Sequence, residues 1–369
     1  MANTRDIAIV GGGAVGAACA RELAATGRRV LVFEPGTEVG QAWRAAAGML
    51  APQIEADGTD PLLEFGLRAR DHYDRLAPEL RESTGIDLGL WREGIARVAM
   101  DEMEADPLRR KVAWQRAQGY RCEWLESSDL RRRWPWLGPA DGALWAPEDG
   151  ALIPERLIQG LLADAQRHGA SVLPERVRAI QAEHGRVSAV LTDAGRYAAP
   201  DVVIAAGAWS GQIQGLPRHL PVEPVRGQMA ATAWPATIPR AIVYHNDSYL
   251  LARGDEAILG STMEPVGFHP DVTSQGIAQI ISSTIALWPA LAGARVRRTW
   301  AGLRPMTPDR LPVLGPEPEL PGLWYATGHG RNGILLAGLT GRLMAQLIGK
   351  ERLELDITGL TAERFAVSR

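Results

Sequence analysis

Three glycines at positions 11, 13 and 16 separate an apolar run, Asp6 to Val10, from a run of small and apolar residues between Ala17 and Thr26. The first run reads as a buried strand and the second as a helix, so Gly11, Gly13 and Gly16, with Ala14 and Val15 among them, form the turn of a strand-turn-helix unit. Without a Cβ the backbone turns tightly, approaches a phosphate closely and lets the helix pack on the strand. The next apolar strand, Val30 to Phe33, ends in Glu34, roughly twenty residues beyond the glycines, where an acid accepts ribose hydroxyls. These elements together predict a Rossmann-like unit that holds a dinucleotide with a free 2′-hydroxyl, its pyrophosphate at the helix N-terminus. The same opening, ending Ala17-Ala18-Cys19-Ala20, looks superficially like a secretory leader. It lacks a substantial basic start, and cleavage there would remove the nucleotide site.

With 369 residues and 46% hydrophobic content, the chain can bury a large core, and two domains are expected. A formal net charge of -3 gives no electrostatic basis for binding nucleic acid or an anionic membrane. The basic run Arg131-Arg132-Arg133, followed by Trp134-Pro135-Trp136, reads as the end of a solvated helix. Cys19 and Cys122 fit neither a disulfide framework nor a metal site, which makes a reducing cytoplasm the expected compartment. Ile277 to Ala294 is the most apolar stretch, yet Gln279, Ser282, Ser283, Thr284 and Pro289 interrupt it. Its isoleucines recur at helical spacing, so it is expected to be an amphipathic core helix and not a membrane span.

Further along, Pro61 to Glu82 has a helical pattern, Ile95 to Met100 a strand pattern, and Pro154 to His168 again a helical one. Strands are expected at Ser171 to Leu173, Val177 to Ala182, Val187 to Leu191 and Val202 to Ala205. Arg226 to Thr262 alternates as an antiparallel sheet does, with a turn at Arg253-Gly254-Asp255-Glu256. In this region, alternation along Tyr244 to Leu251 is expected to place His245, Asp247, Tyr249 and Leu251 on one face. Near the C-terminus a strand, Leu323 to Ala326, meets Gly328-His329-Gly330-Arg331-Asn332-Gly333 and then an apolar helix, Ile334 to Ile348. That is a second glycine-rich helix start.

Two such starts at opposite ends of one chain bear on the nucleotide. A nicotinamide enzyme normally completes its cofactor site in one contiguous domain, whereas a flavoprotein must also hold an isoalloxazine ring. The second helix N-terminus can present its positive end to the flavin pyrimidine edge, where negative charge collects on reduction. Spacing alone leaves open that these glycines serve only close packing.

The motifs Gly11 to Gly16 with Glu34, Ala45-Ala46-Ala47-Gly48-Met49-Leu50, Val203 to Ser210, Pro224-Val225-Arg226-Gly227-Gln228, Trp300 to Pro305 and Gly328 to Leu335 occur in order over nearly the whole chain. In them the sequence resembles the FAD-dependent D-amino-acid oxidase superfamily, and within it the glycine oxidases of thiamine biosynthesis. The resemblance implies a noncovalent FAD enzyme that oxidises the amine of glycine, sarcosine or a D-amino acid to the imine by hydride transfer to flavin N5. Reduced flavin then passes its electrons to oxygen and forms hydrogen peroxide. It implies FAD contacts from the first glycine turn and Glu34-Pro35, from Ala42, Trp43, Ala46, Ala47, Gly48 and Met49, from Val177, from Ala206, Gly207 and Trp209, and from the loop His329 to Leu335.

The resemblance also assigns substrate residues. Arg304, next to a Pro305 that holds the backbone extended, is the carboxylate clamp, since a guanidinium binds a carboxylate at two points. Tyr249 matches a pocket tyrosine, Arg331 a second pocket arginine, and Met263 a pocket methionine. Asp247 stands where the pattern carries histidine, and a carboxylate there favours an ammonium or a longer basic substrate. Ala42-Trp43-Arg44 departs from the small hydroxylated residues usual before the Ala45 motif. No cysteine lies in the C-terminal loop, which leaves a covalent flavin without support.

The expected fold is therefore α/β, a Rossmann-like FAD-binding domain formed by 1-85, 146-214 and 300-369. An α+β, antiparallel-sheet substrate domain is expected from 86-145 and 215-299. The expected partners are a small amino acid or amine and oxygen, with no metal, no nucleic acid and no membrane, in a homo-oligomer. The alternatives are a dehydrogenase that reduces a quinone and a non-catalytic FAD-binding subunit.

Overall fold

The computed structural model describes residues 6–36, 39–58 and 61–365. The central strands of its first sheet, Ile7–Val10 and Val30–Phe33, are apolar and buried throughout, as strands covered on both faces must be. Ile7–Val10 lies in the middle, flanked in parallel by Val30–Phe33 and Asp201–Ile204. The full order is Val313–Pro316, Leu323–Thr327, Asp201–Ile204, Ile7–Val10, Val30–Phe33, Ser171–Leu173, with only the 313–316 edge antiparallel. Helix Ala14–Ala25 covers one face and packs on helix Gly333–Gly349. The two come close because both are small at the contact: a Cβ on Gly341 would lie 2.6 Å from the Ala18 backbone.

The second sheet has eight strands in the order 296–306, 223–233, 256–260, 248–253, 242–245, 95–99, 142–146, 123–126. Its frame is a long antiparallel pair, Glu223–Ala233 against Val296–Met306, with Val225 opposite Arg304 and Gly227 opposite Gly302. One face buries Ala230, Leu250 and Leu259 under helix Ser274–Leu287. The other carries Met229, Tyr244, Tyr249 and Ile258 toward Ala47, Ala51 and Ile54. Strand Val296–Met306 crosses position 300, where sequence placed a domain boundary. The fold is thus mixed α/β, a Rossmann-like sheet joined to a mainly antiparallel one in which 242–245 and 95–99 pair in parallel.

Two local expectations need correction. The helix expected to reach Ala294 stops at Leu287, and Pro289–Gly293 forms a separate 3-10 turn, because proline cannot continue the helical hydrogen bonds. The segment Tyr244 to Leu251 is not one strand but a hairpin, Ile242–His245 and Ser248–Arg253, turning at Asn246-Asp247. Asn246 takes φ 49, a left-handed conformation that asparagine tolerates. The turn breaks the alternation: Tyr244 pairs with Tyr249 and His245 with Ser248. His245 therefore leaves the Tyr249 face, and its Nε2 lies 3.1 Å from Glu104.

Beyond the edge strand Val313–Pro316, Glu317 is buried and takes two bonds from Arg218, at 2.6 and 2.7 Å, and one from the Tyr325 hydroxyl at 3.0 Å. Burial alone would raise its pKa, but Arg218 outweighs it and holds the carboxyl below the ordinary 4.5. Its stabilising contribution is then complete above about 4.5 and lost as pH falls through the lowered folded value. Glu317→Gln should cost on the order of 2 kcal/mol at neutral pH, because it leaves the buried Arg218 guanidinium only the half-exposed Glu319, 3.6 Å away, as a counter-charge. Melting curves against pH should show the gap from wild type narrowing in acid.

Candidate active site

A deep cleft runs from the first glycine turn to the underside of the second sheet. At its nucleotide end Gly11 takes φ 106, and a Cβ there would lie 2.4 Å from the Ala205 carbonyl oxygen. Gly16 is more crowded still, its Cβ position 1.8 Å from the Gly11 carbonyl oxygen. Gly13 differs: its Cβ direction meets only Trp43 at 3.5 Å and points to space in the cleft wall. The helix that follows has no capping side chain and no acid in its first turn, so its N–H groups and positive end are available to an anion.

Glu34 stands at the end of the second strand and accepts from the Gly12 N–H and the Gly36 N–H, each at 2.9 Å, and from Gln41 Nε2 at 2.8 Å. A carboxylate has about four acceptor directions, so one remains for a ribose hydroxyl. Gln41 in turn accepts from Arg44 Nε at 2.7 Å, and Arg44 stacks on Trp43 with its Cζ 4.4 Å from the ring centre. This relay gives the departure Ala42-Trp43-Arg44 a role, since it braces the acid from behind.

At the other end Gly328 and Gly330 take φ 72 and 55, a path closed to most side chains. A 3-10 turn, Gly330–Asn332, delivers the chain to helix Gly333–Gly349, which also starts without a side-chain cap or an acid. The Tyr73 hydroxyl donates to the Ile334 carbonyl and anchors this start. His329 is buried with Nε2 3.1 Å from Thr340 Oγ1, and burial pushes its pKa down to about 3, so it is neutral.

The substrate end is built around Arg304. Its guanidinium occupies the space above Gly227, where a Cβ would sit 2.1 Å from Nη1. Nη1 donates to the Thr262 carbonyl at 3.0 Å and Nη2 to Ser261 Oγ at 2.8 Å. Burial pulls its pKa down from the ordinary value, yet a guanidinium stays protonated in proteins. A half-buried cation whose hydrogen bonds go to neutral groups is set up to receive an anion. Beside it is Tyr249, buried, its hydroxyl donating to Met229 Sδ at 3.3 Å, with burial raising its pKa so that it remains a neutral donor. Across the cleft Arg331 Nη2 donates to Glu55 Oε1 at 3.0 Å, and the Tyr244 hydroxyl donates to the same oxygen at 3.1 Å. Asp247 sits exposed in the hairpin turn at the rim, and Met263 is there too, 46% exposed.

The cleft brings together Arg304, Tyr249, Arg331, Met263 and Asp247, and with them Gly11, Gly13, Ala14, Val15, Glu34, Pro35, Ala42, Trp43, Ala46, Ala47, Gly48 and Met49. Val177, Ala206, Gly207, Trp209 and the loop His329 to Ile334 complete its wall. Of the expected FAD contacts, Gly16 lies against the Gly11 carbonyl and Leu335 packs in the helical core, and these two do not line the cleft. Sequence reasoning missed Gln41, Glu55 and Ser261. Pro52 opening a helix with Glu55 in its first turn was a visible signal, but its partner lies 276 residues away.

The FAD dependent oxidoreductase family profile matches residues 6–347. Glycine oxidase of Geobacillus kaustophilus is 36% identical over 370 residues, covering 99% of this chain and 98% of that protein. The crystal structure of glycine oxidase from Geobacillus kaustophilus superposes with a TM-score of 0.92 at 35% identity, covering 98% of this chain and 99% of that one. The bifunctional protein ThiO/ThiG of a Nostoc species is 35% identical over 95% of this chain, which spans 53% of that longer protein. The structure of iminodiacetate oxidase from a Chelativorans species gives a TM-score of 0.87 at 27% identity, covering 96% and 98% of the two chains.

Proposed function

The chain belongs to the FAD dependent oxidoreductase family, and from that premise we propose that it is an FAD-dependent oxidase of glycine or a small relative such as sarcosine or a D-amino acid, forming the imine and hydrogen peroxide. The observation that carries this reading is Arg304, a half-buried cation with neutral hydrogen-bond partners at the end of a cleft shaped for a dinucleotide. Residues present fit FAD: two uncapped helix starts, a Gly13 with room beside it, and Glu34 with a free acceptor direction. Bound there, FAD supplies the electron-pair acceptor for the amine oxidation. The same family includes relatives named for glycine oxidation, which supports the substrate class.

Arg304 takes the carboxylate and Tyr249 donates a further hydrogen bond to it, so the α-carbon and amine are held in one orientation. Orientation is the main demand of this chemistry, together with a neutral amine. The groups nearest the substrate are arginines, neutral tyrosines and the paired Glu55, and the ammonium proton therefore leaves to water at the open rim beside Asp247.

The cleft takes a small molecule, and among the described residues no helix is long and apolar enough to cross a membrane. Oxygen as acceptor, residence in the cytoplasm, assembly as a homo-oligomer and provision of an imine for thiazole formation in thiamine biosynthesis are parts of the same proposal. Two buried free thiols, Cys19 and Cys122, agree with a reducing compartment.

Anaerobic mixing with glycine, sarcosine, D-alanine and a basic D-amino acid tests the reading through the flavin absorbance. Bleaching by glycine or sarcosine and fast recovery in air is the expected result. Bleaching without recovery would mean a dehydrogenase for another acceptor, and no bleaching at all would overturn the oxidase reading.

A further inference from the structure

The two arginines of the substrate end are not equivalent. Arg304 has only neutral partners, whereas Arg331 is held by the Glu55 carboxylate. Glu55 is itself placed by a buried frame. It ends the short helix Pro52–Glu55, whose Gln53 and Ile54 N–H groups donate to Asp149 at 3.1 and 3.0 Å. Asp149 is fully buried and receives Arg70 Nη1 at 3.0 Å. At the helix C-terminus the Ile54 carbonyl accepts from Lys111 at 2.8 Å and from Arg97 at 3.4 Å. The Glu55 side chain is 20% exposed and Arg331 43%, so the pair meets the cleft from a rigid base while Arg331 stays reachable.

The charges facing the substrate are then Arg304 and Arg331 against Glu55 and Asp247. One carboxylate on Arg304 uses the arginine that, of the two at the substrate end among the described residues, has no carboxylate bonded to it. A second carboxylate on the same substrate would approach Arg331 and meet Glu55 already bound there, with Asp247 adding the same sign at the rim. Discrimination of this kind works by repulsion and not by a better fit.

We propose that Glu55 is a specificity-determining residue: by occupying Arg331 it leaves the pocket one anion anchor and selects amines bearing one carboxylate over those bearing two. The proposal rests on the reading of Arg304 as the carboxylate anchor of an amino-acid oxidase. Glu55→Gln keeps the size of the side chain and an oxygen for Tyr244 but removes the charge, which releases Arg331 to a second carboxylate.

The test uses the FAD-loaded protein and two non-reacting probes, acetate with one carboxylate and malonate with two, titrated by their perturbation of the flavin spectrum. In Glu55→Gln the affinity of malonate relative to acetate should rise about tenfold or more, as expected when a charge-charge contact at a few ångströms changes sign. The kcat/KM of iminodiacetate relative to glycine should rise in parallel. Asp247→Asn, at the solvated rim, should shift the malonate ratio by less than about threefold. An equal or larger shift there would overturn the proposal, since general potential and not the Glu55 pairing would then set the preference. Arg331→Met supplies an independent arm: it leaves Glu55 charged and unpaired, so malonate should weaken further against acetate. An unchanged ratio in either Glu55→Gln or Arg331→Met overturns the proposal. If acetate and malonate bind but no amine bleaches the flavin, the oxidase reading fails while the ratio still decides the role of Glu55.

Discussion

Replacing Arg304 by Leu should raise the KM for glycine about thirty-fold to several thousand-fold, the equivalent of about 2–5 kcal/mol for removing one partner of a buried charged pair. Flavin content should stay near that of the wild type, because Arg304 bonds to Ser261 and Thr262 at the far end of the cleft from the glycine turn. The size of the effect follows from partial burial. The half-buried guanidinium sits against Gly227, and a carboxylate arriving there makes charge-assisted bonds stronger than those of a fully solvated arginine. Leucine would also leave part of that space empty, so Arg304→Lys is the companion variant. It keeps the charge but loses the planar two-point geometry, and its KM should fall between the two. Steady-state kinetics with flavin quantified per chain gives the answer, and an unchanged KM in Arg304→Leu would remove Arg304 from the substrate site.

The second large effect separates two glycines three residues apart. Gly16→Ala forces a Cβ to 1.8 Å from the Gly11 carbonyl oxygen, a contact with backbone at the centre of the first sheet and not with a flexible side-chain end. It should destabilise the fold on the order of 3 kcal/mol or more, with low soluble yield and an early melt even without flavin. Gly13→Asp places its Cβ where only Trp43 lies near, at 3.5 Å, and the chain should fold with nearly the apo-protein melting temperature of the wild type. Its carboxylate would face the pyrophosphate across a helix start that otherwise offers positive potential. FAD affinity should then fall about a hundredfold or more. Melting curves of the apo-proteins together with flavin titration resolve the two. A Gly13→Asp protein that keeps its flavin would mean the pyrophosphate is not held at this turn.

Much of the framework was legible because it is local. Strand Val30–Phe33 appears with the bounds its apolar run suggests, and helix Pro154–Arg167 starts at a proline suited to a first turn. Glu34 follows its strand immediately, so its place at the cleft is set by a few residues of chain. Alternation failed at Asn246-Asp247 for an equally local reason: two residues can reverse a strand, and the period of two is then read across a turn. Asparagine followed by aspartate, both turn formers, was the signal available there.

By itself the sequence determined the strand-turn-helix opening, the glycine-rich second helix start and the order of residue types along each element. Propensity, glycine conformation and apolar period act over one to four residues, and those are properties of a chain before it folds. Only the tertiary structure decided that Gln41 and Arg44 brace Glu34, that Gly227 makes room for Arg304, and that Glu55 takes the charge of Arg331 across 276 residues. Those pairings depend on how two sheets dock and on which polar groups burial leaves in need of a partner, and neither is written in the spacing of any one segment.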